Sequence, residues 1–167
     1  LQLHQEGIAP SEIRELVYKT YSSAVDLVSQ KNCAMPSKAK FSLPYCGAAA
    51  LVFGRLGLEE FSAEKLADSL VQELMSVSRV EKDSWAQEEY PAKWRTRLEC
   101  RLKDGSLIIK ETENPRGDPE NPPGIDELDI KFLHLASAVY SKEEAQKLLD
   151  NIKKLPELTK VKDLLLF

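Results

Sequence analysis

The sequence predicts an α+β fold, an antiparallel sheet covered by helices, and three stretches carry that expectation. Residues 96–112 alternate apolar and charged side chains on both sides of Asp104–Gly105, a dipeptide that favours a two-residue hairpin loop. Residues 42–54 hold an apolar run with no polar face, as in a helix buried on all sides. Residues 125–155 carry apolar side chains at helical spacing in two successive blocks. Helices and strands that segregate along a chain in this way point to α+β rather than to alternating units.

The elements follow in order. Leu1–Gln2–Leu3–His4–Gln5–Glu6 resembles the last turns of an amphipathic helix stopped by Gly7, which suggests a chain cut from something longer. Pro10–Ser11–Glu12 opens a turn. Residues 13–21 fit either period, but Leu16, Tyr18 and Thr20 fall on one strand face and the β-branched and aromatic content favours a strand. A short helix over 22–28 uses Ala24, Val25 and Val28, and residues 29–41 read as loop. Ser42 can cap the apolar helix, with Pro44 in its first turn, where a missing N–H costs nothing, and Gly57 at its end. Ser62 caps a turn, and Asp68 to Val77 forms a helix with Leu70, Val71, Leu74 and Val77 inward.

A β region begins at Val80. Counting outward from Asp104–Gly105 pairs Leu102 with Leu107, Cys100 with Ile109 and Glu99 with Lys110. The connector 114–124 (NPRGDPENPPG) holds four of the nine prolines. Two helices follow, 125–140 with Leu128, Phe132, Leu135, Ala136 and Val139 inward, and 141–155 opened by a Ser141–Glu144 capping box. A last apolar turn covers 161–167. One domain, residues 1–167, accounts for the length.

Composition narrows the function classes. The chain of 167 residues is 43% apolar and carries a net charge of −4 with both signs interspersed, so no basic stripe marks a nucleic-acid binder. The apolar run at 48–53 is far short of a membrane span. Three cysteines and two histidines show neither a disulfide framework nor zinc spacing, which fits a reducing, cytoplasmic setting. No cofactor-binding or metal motif is present.

One cluster bears on chemistry. Lys38 and Lys40 lead into the Ser42 helix start, where free N–H groups and the helix dipole favour anions, and Tyr45 could exchange a proton with a bound carboxylate. The alternative is equally physical: solvated lysines, a capping serine and a core tyrosine with its hydroxyl satisfied. His134 lies next to Leu133 and Leu135 on its helix and, with no carboxylate near it in sequence, reads as a packed or surface histidine rather than a catalytic one. Trp85, Tyr90 and Trp94 read as loop anchors, and Arg116 and Asp118 fit either a functional loop or ordinary turn chemistry.

The run Ala39–Lys40–Phe41–Ser42–Leu43–Pro44–Tyr45–Cys46–Gly47–Ala48–Ala49–Ala50 resembles the start of a helix in the C-terminal domain of the MmgE/PrpD family. Phe53–Gly54–Arg55–Leu56–Gly57–Leu58 with Phe61, then Val80–Glu81, Leu102–Lys103–Asp104–Gly105 and Arg116–Gly117–Asp118–Pro119–Glu120–Asn121–Pro122 are similar to the family in the same order. That family includes 2-methylcitrate dehydratase, cis-aconitate decarboxylase and iminodisuccinate epimerase.

The resemblance implies a lid-type domain that follows an all-helical domain in a longer polypeptide, with the active site between them. It implies a cofactor-independent lyase or isomerase acting on small polycarboxylates by proton abstraction next to a carboxylate, in a homodimeric enzyme. Tyr45 falls at the position of the family's active-site tyrosine, and Lys40, Ser42 and Lys38 become candidate carboxylate-binding groups. His4 does not fit the family's histidine motif and takes no role from it. Lys38 stands where an acidic residue is common. The expectation is a fragment inactive alone, with an apolar face exposed near residue 42. The alternative is a non-catalytic interaction or anion-binding module that keeps the fold.

Overall fold

The chain enters its sheet through helix α1 (Gln2–Gln5), Gly7 and a 3-10 turn at Pro10–Glu12. Strand β1 (Ile13–Thr20) follows and settles the ambiguous segment: Leu16, Tyr18 and Thr20 are all buried, as is Val17 on the opposite face. The structure, a computed structural model, describes residues 1–157 and 160. The apolar turn expected at 161–167 lies outside the described residues.

Five helices lie between β1 and the next strand. They are α2 (Ser22–Val28), α3 (Pro36–Ala39), α4 (Leu43–Phe53), α5 (Ala63–Leu66) and α6 (Ser69–Ser76), with a 3-10 turn at Glu59–Phe61 before α5. A connection of that length lets β2 (Ser78–Lys82) return parallel to β1, with Leu16 opposite Ser78 and Thr20 opposite Lys82. Strands β3 (Thr96–Leu102) and β4 (Leu107–Thr112) pair antiparallel, giving the order β2–β1–β3–β4. The α+β class holds, but the sheet is mixed where the sequence predicted an antiparallel one. Between β2 and β3 lies α7 (Ser84–Glu88), a five-residue helix that periodicity is too short to reveal; Asp83 caps it by accepting the Ala86 N–H at 3.2 Å.

The hairpin is where the sequence predicted it, but its register differs by one residue. Cys100 faces Ile108, Glu99 faces Ile109 and Leu98 faces Lys110. The loop holds three residues, not two. Leu102 donates to the Ser106 carbonyl at 2.9 Å and accepts from the Gly105 N–H at 3.1 Å, with Gly105 at φ +91°. The Asp104 carboxylate accepts both the N–H and the hydroxyl of Ser106, at 2.8 and 2.7 Å, which rewards the longer loop. One residue of slip exchanges the faces of a strand. Ile108 therefore packs on the core, while Leu107 and Ile109 lie on the outer face, 44% and 49% exposed.

Helix α4 is the centre of the core. Pro44, Tyr45, Ala48, Ala49, Ala50 and Leu51 are buried, and the helix packs against α6 and β2. It ends earlier than the sequence suggested, because Gly54 at φ +68° takes the left-handed cap position. Asp68 caps α6, accepting from Leu70 and Val71 at 2.9 and 3.1 Å; of the expected inward set Val71 and Leu74 are buried, while Leu70 is exposed.

Two compact units divide the chain, residues 1–115 and 116–167. The second contains α8 (Ile125–Ala136) and α9 (Lys142–Lys153), which pack on each other. The Ser141–Glu144 capping box is present, with bonds of 3.3 and 2.9 Å, and Ala145, Leu148 and Leu149 are buried. No residue of α8 is buried; Leu128, Leu135 and, beyond its end, Val139 are exposed rather than inward. Arg116 braces the connector by donating to Asn121 Oδ1 at 3.0 Å and the Pro122 carbonyl at 2.6 Å, and by pairing with Glu127.

Candidate functional site

The segment before α4 makes two tight turns. Pro36 opens α3, and Phe41 and Ser42 donate back to the Lys38 and Ala39 carbonyls at 3.1 and 3.0 Å. These bonds deliver Ser42 as the cap of α4. Its hydroxyl accepts the Tyr45 N–H at 3.2 Å and donates to the Gln30 carbonyl at 2.5 Å, and the residue is buried. Pro44 has no N–H, and the Cys46 N–H bonds the Ser42 carbonyl at 2.9 Å. The donors of positions 44 to 46 are thus missing or satisfied, so none of these three offers an N–H to an anion.

Tyr45 is fully enclosed, at 0% exposure, and its phenol donates to the main-chain carbonyl of Glu60. Burial, the nearby Cys46 and Cys33 thiols and the Glu60 and Asp68 carboxylates push its pKa up to about 12. Of the two readings open in the sequence, the packed aromatic is the arrangement the structure has. The proton is held, and the oxygen is spent on a structural bond.

Glu60 is the surprise of the segment. Its carboxylate is 1% exposed and is met by Arg55 Nε and the Gly57 N–H, each at 2.7 Å. Burial alone would raise its pKa, but the Gly57 N–H and the Arg55 guanidinium outweigh that and hold it below the ordinary glutamate value. Nothing in the periodicity marks Glu60. The only signal was Arg55 four and five residues before a Glu pair, a spacing common on any surface turn.

Phe61, the next residue, joins this knot to the lysines. Its ring centroid lies 5.7 Å from that of Tyr45, and Lys40 Nζ stands 5.6 Å from it on a cation–π contact. Lys40 and Lys38 are exposed, and among the described residues neither ammonium is paired with a carboxylate. The structure therefore brings Lys40 and Tyr45 each against the Phe61 ring and leaves Lys38 apart on α3. Phe41 and Met35, also here, are about half exposed, as are Leu56 and Leu58 to 38% and 53%. A recess of about 340 Å³ beside the loop is lined by Lys31, Asn32, Cys33, Ala34, Leu66 and Gln72 among others, and Tyr45 does not reach it.

The profile of the MmgE/PrpD C-terminal domain matches residues 1–155, a range that includes this whole constellation. The chain belongs to the MmgE/PrpD family. No curated protein matches it.

In this MmgE/PrpD domain the other candidates separate by environment. His4 lies at the far end of α4, with Nδ1 2.7 Å from the Leu51 carbonyl, and joins α1 to that helix. Trp85 carries the Arg95 and Arg97 guanidinium groups at 4.8 and 4.9 Å, while Tyr90 stacks on Tyr21 at 4.3 Å and Trp94 packs edge-on to it. These aromatics anchor the 83–95 loop. Among the described residues no group of three His, Cys, Asp or Glu side chains could hold a metal ion. Nor is any helix among them long and apolar enough to cross a membrane.

Proposed function

We propose that this MmgE/PrpD domain is the lid of a cofactor-independent lyase or isomerase acting on small polycarboxylates such as 2-methylcitrate. The reaction removes a proton next to a carboxylate, with dehydration the favoured outcome. The observation that carries the reading is Lys40: an ammonium with no carboxylate partner among the described residues, held on an aromatic face, within the stretch that resembles the family's helix start. Such an ammonium fits a substrate carboxylate, and Lys38, exposed two residues earlier on α3, contributes to the positive charge of the segment without sharing the Phe61 platform. Ser42 serves that site by capping, not by contact. Tyr45 holds the 55–61 loop; proton transfer by its phenol would first require the bond to the Glu60 carbonyl to break. The acid–base groups then belong to a helical domain of the same polypeptide, in a cytoplasmic homodimer, and the exposed Phe41, Met35 and Leu58 suit a face that such a domain covers.

The enclosure of Tyr45 favours a second reading, a non-catalytic anion-binding or interaction module. Activity separates the two. The chain alone should not turn over 2-methylcitrate, and a polypeptide that adds the helical half should. There, Lys40→Met should raise KM about tenfold, the loss of one charge-assisted hydrogen bond of about 1.5 kcal/mol, with a smaller change in kcat. A longer polypeptide that binds citrate without turnover of any polycarboxylate would favour the module.

A further inference from the structure

The 55–61 turn contains a buried carboxylate whose cost needs an explanation. Burying a carboxylate is costly unless it is paired and hydrogen-bonded, and here the partner, Arg55, is itself more than half exposed. Glu60 nonetheless spends both carboxylate oxygens on its own turn, on Arg55 Nε and on the Gly57 N–H. Its main-chain oxygen spends a third bond on Tyr45, in the first turn of α4. Arg55 is further tied to Glu59, so the guanidinium is held from two directions. What these bonds fix is the path of the chain into Phe61, and Phe61 is the surface on which the Lys40 ammonium stands.

We infer that Glu60 is a positioning residue for Lys40, acting through Phe61. This rests on the proposal that Lys40 binds carboxylate. A lysine carries four rotatable bonds and loses much of its advantage as an anion ligand to the entropy of fixing them. An aromatic platform at a set height reduces the number of positions the ammonium samples, and the platform is only as fixed as the turn beneath it. With the Glu60 carboxylate gone, Arg55 loses its buried partner, the turn loosens and the ring no longer holds one place against Tyr45. Lys40 then remains a cation on the surface but ceases to be a directed one.

The test uses the chain with its lysine side chains carbon-13 labelled and citrate as the probe. Two quantities are read: the ring-current shift of the Lys40 Hε protons, which reports Phe61 beneath them, and the citrate dissociation constant taken from the same signals. Glu60→Gln keeps an acceptor for the Gly57 N–H but removes the charge. It should shrink the Lys40 ring shift and weaken citrate at least threefold, with the circular dichroism spectrum unchanged. Lys40→Met should abolish the citrate response, and Lys38→Met should only reduce it. If Glu60→Gln does not fold, Arg55→Gln carries the same test from the exposed side of the pair. A folded variant with wild-type ring shift and wild-type citrate affinity overturns the inference. Citrate that leaves the Lys40 signals of the wild-type chain untouched overturns the anion reading instead, and the ring shift alone then decides whether Glu60 places the lysine.

Discussion

Tyr45 shows how a residue's chemistry depends on what surrounds its polar atom. A phenol at a helix start can be an acid, a ligand or a structural donor, and the sequence distinguishes none of these. Here the enclosed ring and the bond to the Glu60 carbonyl decide for the donor. Tyr45→Phe should therefore cost about 1–3 kcal/mol of folding free energy, because a buried carbonyl is left unsatisfied; urea denaturation measures it, and a loss below about 0.5 kcal/mol would remove the structural role. Glu60 makes a pH prediction of definite sign. Its folded-state pKa lies below the ordinary value, so the unfolded chain binds the proton first as pH falls. The stabilisation is present above the ordinary glutamate range, about pH 4, and is lost as pH drops through the folded-state value. Urea midpoints of wild type should fall across that window more steeply than those of Glu60→Gln. Lys40 and Ser42 were legible as a motif, but Glu60 was not, because its importance comes from three bonds to residues that no period relates to it.

At the scale of elements, what the sequence could state was set by repetition. Helix α9 has a cap, a box and four apolar positions in phase, and all appear apart from the partly exposed Ile152. Strand β1 was recoverable from three side chains on one face. The hairpin was recoverable as a hairpin but not in register, since Asp–Gly serves both two- and three-residue loops and only the Asp104–Ser106 bonds select the longer one. The parallel partner of β1 was hidden for another reason: strand pairing across α2 to α6 leaves no local trace. A packing rule at α4 was likewise invisible. Gly47 lies under the Tyr18 ring, and a Cβ there would stand 1.9 Å from the Tyr18 hydroxyl oxygen. Tyr18 is buried in the core cluster and Gly47 half-buried beneath it, so the ring has little room to yield. Gly47→Ala should destabilise by about 1–3 kcal/mol through overpacking, and Tyr18→Phe in the same chain should recover part of that loss in a double-mutant cycle.

Across the whole molecule, the buried apolar side chains are unevenly divided. The main core cluster, from Leu3 to Cys100, lies entirely within residues 1–115. In the second unit the buried apolar residues among those described are Ala145, Leu148 and Leu149, all on α9, while Ile125, Ile130 and Val139 are 68–81% exposed. Stability follows burial, and a small unit with a thin core opens at a lower free energy than a large one. Amide hydrogen exchange should therefore show protection in β1, β3 and α4 close to that of global unfolding and much weaker protection across α8 and α9. Leu149→Ala, which removes a buried side chain worth about 2–5 kcal/mol in a packed core, should collapse protection over 125–153 and leave β1 and α4 as they were. Val139→Lys, at an exposed site, should change neither region by more than about 0.5 kcal/mol. If Leu149→Ala lowered protection in both units by the same amount, the chain would unfold as one cooperative body, and the domain would owe its stability to both units together.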